Sequence, residues 1–235
     1  MRYLALATDY DGTLAHHGEV DSQTVEALRR LAGSRRKLIL VTGRQVDDLI
    51  RVFPELPIFD RVVAENGAVV YRPRERELRL LAERPADAFI LALKDRGVDP
   101  LFVGHVVVAT VEPNEKLALD VIRELGLELE IIFNKGSVMI LPPSVNKATG
   151  LKAALEELSI SADRVVSVGD AENDHALLAM SGCGVAVANA LESLKAEANH
   201  VTKARASEGV RELIESLIED DLRSADSKRH SSGSA

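Results

Sequence analysis

Short apolar runs rich in β-branched residues alternate along the chain with segments whose apolar positions recur every three or four residues. The runs at 3–8, 37–41, 61–64, 164–168 and 184–187 are almost continuously apolar, as strands covered on both faces must be. Between them the period is helical. Asp21 or Ser22 caps a helix that turns Val25, Leu28 and Leu31 to one side. Asn146 caps another with Leu151, Leu155 and Leu158 inward, Glu172 or Asn173 opens a third, and 209–217 supplies a fourth. The alternation predicts an α/β fold with a doubly wound, mainly parallel sheet.

The middle of the chain follows another rhythm. It predicts a helix over 85–96, a strand over 101–110, a helix over 114–125 and strands over 128–133 and 138–141. None of these runs ends in a polar cluster. The spacing therefore predicts a smaller α/β insertion at 83–143, between "YRPRERE" and "LPPSVN", within a discontinuous core of 1–82 and 144–220. The tail over 221–235 lacks periodicity and is expected to be disordered. The mixed-sign run "RPRERELRLLAER" reads as a solvated face.

Polar groups follow the core strands in a repeated way. The first strand runs into Asp9 and Asp11, the second into Thr42, Gly43 and Arg44, and the fourth into Asp170, Asn173 and Asp174, while Lys147 opens the helix after the insertion. Any one cluster alone reads as a capped turn. In an open parallel sheet the carboxyl ends of the strands share one edge, where ligands bind, so the fold gathers these residues. Four converging carboxylates repel unless a cation joins them. A hard divalent ion with oxygen ligands, Mg²⁺ above all, is the natural remedy, and it bridges readily to phosphate. The Thr42 hydroxyl, the amides near Gly43 and the Lys147 ammonium suit phosphate oxygens.

Composition narrows the field. Lys and Arg total 29 against 37 Asp and Glu, a net charge of −8, which disfavours binding to a phosphate backbone. Aromatics are 3% and Trp is absent, so base-stacking platforms are not expected either. The single Cys183 excludes an internal disulfide and, in the small apolar setting "SGCGVAVA", reads as a buried side chain. No apolar run approaches a membrane span, so a cytoplasmic protein, monomer or small homo-oligomer, is expected. His16 and His17 read as exposed loop residues, His175 as helix surface and His105 as sheet surface.

Taken together, "DYDGT", "LILVTGR", "VNKATGLKAAL" and "VVSVGDAENDHALL" resemble the four motifs of the haloacid dehalogenase-like (HAD) superfamily, in the order and spacing of its phosphatases. "AENGAVVY" and "GVAVANALESLKAEANHVT" are similar to its Cof-type branch with a subfamily IIB cap, and the short insertion resembles that of phosphoglycolate phosphatase-like members. The resemblance runs to about Leu217. It implies that Asp9 is a nucleophile forming an aspartyl-phosphate and that Asp11 is the general acid and base. It implies Mg²⁺ ligation by Asp9, the Asp11 carbonyl and Asp170, with Asp174 binding directly or through water. Thr42 and Lys147 would hold the phosphoryl group, and Asn173 would orient Lys147 or the metal shell. Tyr10, where relatives often carry leucine or phenylalanine, is expected to point away from the metal.

By the same resemblance the insertion caps the site, excluding water and selecting the leaving group. Arg44, Asn66, Asn134 and Lys135 are candidates for the organic part or a second anion of the substrate, with Gly43 and Asn173 nearer the phosphate. The implied function is a Mg²⁺-dependent phosphatase acting on a small phosphorylated metabolite such as a sugar phosphate or phosphoglycolate. A phosphomutase, or a non-catalytic sensor built on Mg²⁺ and phosphoaspartate, shares the same aspartates.

Overall fold

The computed structural model describes residues 1–223. In chain order the elements run β1 (Ala5–Thr8), α1 (Ser22–Gly33), β2 (Lys37–Val41), α2 (Val46–Val52), β3 (Arg61–Ala64), β4 (Val69–Arg72) and β5 (Glu77–Leu80). There follow α3 (Asp87–Asp95), β6 (Phe102–Val103), β7 (Val108–Val111), α4 (Glu115–Leu125), β8 (Glu130–Asn134) and β9 (Ser137–Leu141). The chain closes with α5 (Lys147–Leu158), β10 (Val165–Gly169), α6 (His175–Met180), β11 (Cys183–Ala186), α7 (Glu192–Glu197), β12 (His200–Val201) and α8 (Ala206–Asp220).

An eight-stranded sheet in the order β12-β11-β10-β1-β2-β3-β4-β5 carries the main core. It is parallel from β12 to β3, and a β3-β4-β5 meander closes one side antiparallel. The five central strands are buried almost throughout, which is why their sequences run apolar without alternation. β1 lies between β10 and β2, where the direction of winding reverses, and Thr8 is level with both Val168 and Leu40. Asp9, Thr42 and Asp170 therefore leave the sheet at one edge.

The helices start where the sequence places them, and their caps show why. Asp21 accepts the Thr24 amide at 2.9 Å to begin α1. Asn146 accepts the Thr149 amide at 3.0 Å while Thr149 Oγ1 takes the Asn146 amide, a reciprocal box that opens α5 at Lys147. Gly67, at φ +104°, lets that helix start come close, since a Cβ there would fall 1.9 Å from the Asn146 carbonyl oxygen. The third expected helix opens with a 3-10 turn over Glu172–Asp174 and continues as α6, its first turn tightened where the Asp174 carboxylate folds back onto the amides of Asp170 and Ala171.

A second, four-stranded antiparallel sheet, β6-β7-β9-β8, lies between residues 102 and 141. Helices α3 and α4 cover one face through Phe89, Leu93, Val121, Val108 and Ile140, a core of its own. The single strand expected over 101–110 is instead a hairpin, β6 and β7, joined by a turn at 104–107 whose amides are used elsewhere.

Of two further readings, one holds with an added element and one needs correction. The mixed-sign run is solvated, but it forms β5, an exposed edge strand whose charges oppose pairing with another chain. The disorder expected over 221–235 does not hold at the start of that stretch. Asp221 and Leu222 are buried, because Asp221 accepts from the Arg36 guanidinium at 2.9 Å and from the Arg2 amide. The rest of that tail lies outside the described residues.

The edge is fastened from α5 by Glu157, which accepts from Arg61 at 2.8 Å, Arg72 at 3.0 Å and Arg79 at 3.2 Å, one arginine from each of β3, β4 and β5. Burial pushes the Glu157 carboxyl up, but hydrogen bonds from Arg72, Arg61 and Arg79 outweigh it and hold it at about 2. A carboxylate whose folded pKa lies below the unfolded value of about 4.3 stabilises the fold fully above that value and loses the contribution as pH falls through about 2. Glu157→Gln should therefore cost about 1 kcal/mol near neutrality, discounted because Arg72 and Arg79 are partly solvated. Thermal midpoints measured by circular dichroism should show that gap closing as the pH is lowered from about 5 towards about 2. A gap that widens on acidification would contradict the assignment.

Candidate active site

Lys147 is the first residue of α5, and its side chain is 2% exposed. Its ammonium donates to Asp9 Oδ1 and to Asp174 Oδ1, both at 2.6 Å. A buried lysine needs such partners, because an unpaired ammonium away from water would lose its proton. Burial works against its charge, but Asp174 and Asp9 more than offset that and hold it protonated above its ordinary range. For Asp9 burial is the largest influence. It pushes the carboxyl up, Asp174 and Asp170 add to the push, and Lys147 opposes it.

Asp9 is fixed from its backbone, with its amide on the Val168 carbonyl at 2.9 Å and its carbonyl accepting from Thr8 Oγ1 at 2.9 Å. Asp11 reaches outward, where Arg44 grips both oxygens, Nε on Oδ2 at 2.6 Å and Nη2 on Oδ1 at 2.7 Å. The third arm of Arg44 holds Asp48 at 2.7 Å, and its guanidinium lies 5.1 Å over the buried ring of Tyr10. Tyr10 turns away from Asp9 and donates its hydroxyl to the Gly18 carbonyl. Thr42 is buried, accepts the Arg44 amide on Oγ1 at 3.1 Å, and anchors its own amide on Val63.

A cavity of about 170 Å³ opens at this edge, with Asp9, Asp11, Thr42, Gly43, Arg44, Asp170 and Asn173 on the main-sheet side. Ala109, Asn134, Ser137 and Met139 of the inserted sheet close the other. Asn134 Oδ1, Asn173 Oδ1 and Asp170 Oδ1 are buried without a hydrogen-bond partner. Unpartnered buried oxygens are rare in folded proteins, and three around one cavity suit a place where ligands complete the bonding.

The donors fit a hard cation. Asp9, Asp170 and Asp174 each bring a carboxylate oxygen within 4.8 Å of the others. Asp170 supplies the orphaned oxygen. Asp174 has both of its oxygens engaged already, one by Lys147 and one by the amides of Asp170 and Ala171. Gly12, at φ +87°, keeps the space open, since a Cβ there would fall 2.3 Å from Asp170 Oδ2. Burial pushes Asp170 up, opposed chiefly by Lys135.

The remaining expectations are distributed differently. Asn173 donates its amide to Asn66 Oδ1 at 3.0 Å, while the Lys147 ammonium is held by Asp9 and Asp174. Asn66 stands one layer back from the cavity, buried, with its amide on the Thr42 carbonyl. His105 is exposed, and His175 pairs with Glu197 on the surface of α6. Cys183 is buried.

Sequence reasoning missed Glu65. It is buried at φ +49°, its amide bonds the Arg44 carbonyl, and its carboxylate accepts three consecutive amides of the inserted segment. These are His105 on Oε1 at 2.9 Å, and Val106 and Val107 on Oε2 at 2.8 Å each. The turn at 104–107 is thus a nest around an anion, which is what splits the expected strand. Val106 and Val107 pack into the main core rather than the smaller one. The signal was present in "AENGAVVY", an acid placed directly after an apolar strand, but that stretch served only as part of the family resemblance.

This strand order, with carboxylates and a buried lysine at its carboxyl edge beneath an inserted α/β segment, defines a doubly wound α/β enzyme. The chain belongs to the haloacid dehalogenase-like hydrolase family, whose profile matches residues 6–118 and 106–214. It is 30% identical over 217 residues to a phosphoglycolate phosphatase of Methanothermobacter thermautotrophicus, covering 89% of this chain and 96% of the relative. It is 31% identical over 219 residues to a phosphoglycolate phosphatase of Archaeoglobus fulgidus, covering 91% and 96%. In fold it is similar to a haloacid dehalogenase-like hydrolase from Bacteroides thetaiotaomicron, with TM-score 0.77 and 22% identity, covering 92% of this chain and 99% of the other. A HAD subclass IIB sugar phosphatase is also similar, with TM-score 0.73 and 21% identity, covering 91% and 98%. Among the described residues no helix is long and apolar enough to cross a membrane.

Replacing Glu65 by alanine strands three buried amides, at a cost of roughly 3–5 kcal/mol. Amide hydrogen exchange at 105–107 should quicken at least tenfold in Glu65→Ala. Unchanged protection there would show that the carboxylate does not hold the turn.

Proposed function

We propose that this protein is a Mg²⁺-dependent phosphatase that hydrolyses a small phosphorylated metabolite through an aspartyl-phosphate on Asp9. The reading rests above all on the Lys147 ammonium, held between Asp174 and Asp9, the latter lining a cavity with unpartnered oxygens. The chain then divides into a catalytic core of 1–82 and 144–220 and a cap of 83–143. With a single, buried cysteine it suits the reducing cytoplasm.

Each residue's task follows from its contacts. Lys147 occupies Asp9 Oδ1, leaving the other oxygen of Asp9 to attack phosphorus while the ester P–O bond breaks. The leaving alkoxide takes a proton from Asp11. Asp11 then removes one from the water that attacks the acyl phosphate, freeing Asp9 and inorganic phosphate. Because Arg44 grips both oxygens of Asp11, one of those bonds must open for either transfer. The Thr42 hydroxyl, already accepting from an amide, has its proton free for a phosphoryl oxygen. Mg²⁺, held by Asp9, Asp170 and the Asp11 carbonyl with Asp174 behind them, would neutralise phosphoryl charge and favour the ionised form of Asp9.

The substrate is small. A volume of about 170 Å³ lies below the roughly 300 Å³ at which pockets for drug-sized ligands begin. Arg44 and Asn134 offer polar contacts beyond the phosphate. Phosphoglycolate, named for the relatives above, fits those dimensions and its second anion suits Arg44; a short sugar phosphate is the nearest alternative.

The purified protein should release inorganic phosphate from phosphoglycolate in a Mg²⁺-dependent reaction, with kcat/KM falling as the organic part grows. Asp9→Asn should lose activity by about 10³-fold or more with its thermal midpoint retained. An Asp9→Asn protein working at the parental rate, or no phosphate release from a broad metabolite panel, would overturn the reading.

A further inference from the structure

The hairpin turn between β8 and β9 holds an unusual residue. Lys135 has φ +49° and the following Gly136 φ +83°, so both central positions are left-handed. That geometry favours asparagine, aspartate or glycine, and a lysine there accepts backbone strain. The side chain gives it a purpose. Lys135 Nζ crosses from the cap to the core, donating to Asp170 Oδ2 at 2.7 Å and to the Asp11 carbonyl at 3.1 Å.

Those two oxygens leave the sheet from different strands, β10 and β1, and the proposed function gives both Asp170 and the Asp11 carbonyl to the divalent cation. An ammonium already on them acts as a competing positive charge. Of the three cations that face these carboxylates, two are fixed and one can give way. Lys147 is sealed in, and Arg44 is pinned by Asp48 as well as Asp11. Lys135 is 47% exposed and can leave without crossing a dry region.

We propose that Lys135 is an intramolecular counter-ion for the cation site: its ammonium and the divalent cation compete for Asp170 and the Asp11 carbonyl. Cation binding then releases the cap hairpin from the core and frees the lysine for an anionic substrate. The inference rests on the metal reading above and adds to it a coupling between metal and cap. It also explains why the turn tolerates a lysine where glycine or asparagine would sit without strain.

Isothermal calorimetry with MgCl₂ alone, on the full chain without substrate, tests the competition. Lys135→Ala should bind Mg²⁺ about tenfold more tightly than the parent, and Lys135→Arg, which keeps the charge, should stay close to the parent. In the parent protein saturating Mg²⁺ should quicken amide hydrogen exchange over 134–137, and in Lys135→Ala it should not. Equal or weaker Mg²⁺ affinity in Lys135→Ala overturns the inference while leaving the metal site standing. Failure of both the parent and Lys135→Ala to bind Mg²⁺ removes the metal reading itself, and the competition with it.

Discussion

The site depends on one buried ammonium. Without Lys147, the Asp9 and Asp174 carboxylates would face each other with almost no water to screen them, and Asp170 stands close by. Lys147 reaches this place because Asn146 caps α5 and because Gly67 lets the helix start approach the β3 end of the sheet. Asp174 in turn braces the backbone of Asp170 and Ala171, so the loop that presents Asp170 is shaped by the residue that shares the ammonium. Sheet edge, helix start and loop are therefore set by one charge arrangement. That order is the preorganisation that phosphoryl transfer requires, since positioning and electrostatics do most of its work.

The inserted sheet is fixed to this arrangement at two points of different character. Glu65 is a sealed contact, holding three amides of the cap from a turn whose own backbone carries Thr42 and Arg44. Lys135 is a half-exposed contact, made to residues at the centre of the chemistry. A buried anion in a nest of amides is costly to break, while a solvated ammonium is not. The inserted sheet is thus held to the core by one buried contact and one half-exposed contact.

Much of this was legible in the sequence because the physics involved is local. Continuous apolar runs marked β1, β2, β3, β10 and β11; the cap at Asn146 marked one helix start to the residue, and Asp21 or Ser22 marked another to within one. Polar residues directly after strands pointed to Asp9, Thr42 and Asp170, because parallel topology brings such ends together. What stayed hidden depends on contacts distant in sequence. Nothing near residue 104 announces that its neighbours' amides belong to Glu65, so β6 and β7 read as one strand. The run containing β5 shows charge before it shows strand, since an edge strand exposed along its length has no buried face to reveal. The resemblance gave Asn173 to Lys147 or the metal shell, but the bond of its amide to Asn66, 107 residues away in sequence, had no local signal.

The central claim is that the ammonium-braced carboxylate of Asp9 receives the phosphoryl group. Acid-quenched turnover with phosphoglycolate and Mg²⁺ in an Asp11→Asn background, where loss of the base slows hydrolysis of the acyl phosphate, tests it by peptide mass spectrometry. The account predicts one phosphoryl group on the peptide that contains Asp9, lost on brief exposure to alkali. Phosphate release with no covalent adduct at any time point, or an adduct on another residue, would contradict it.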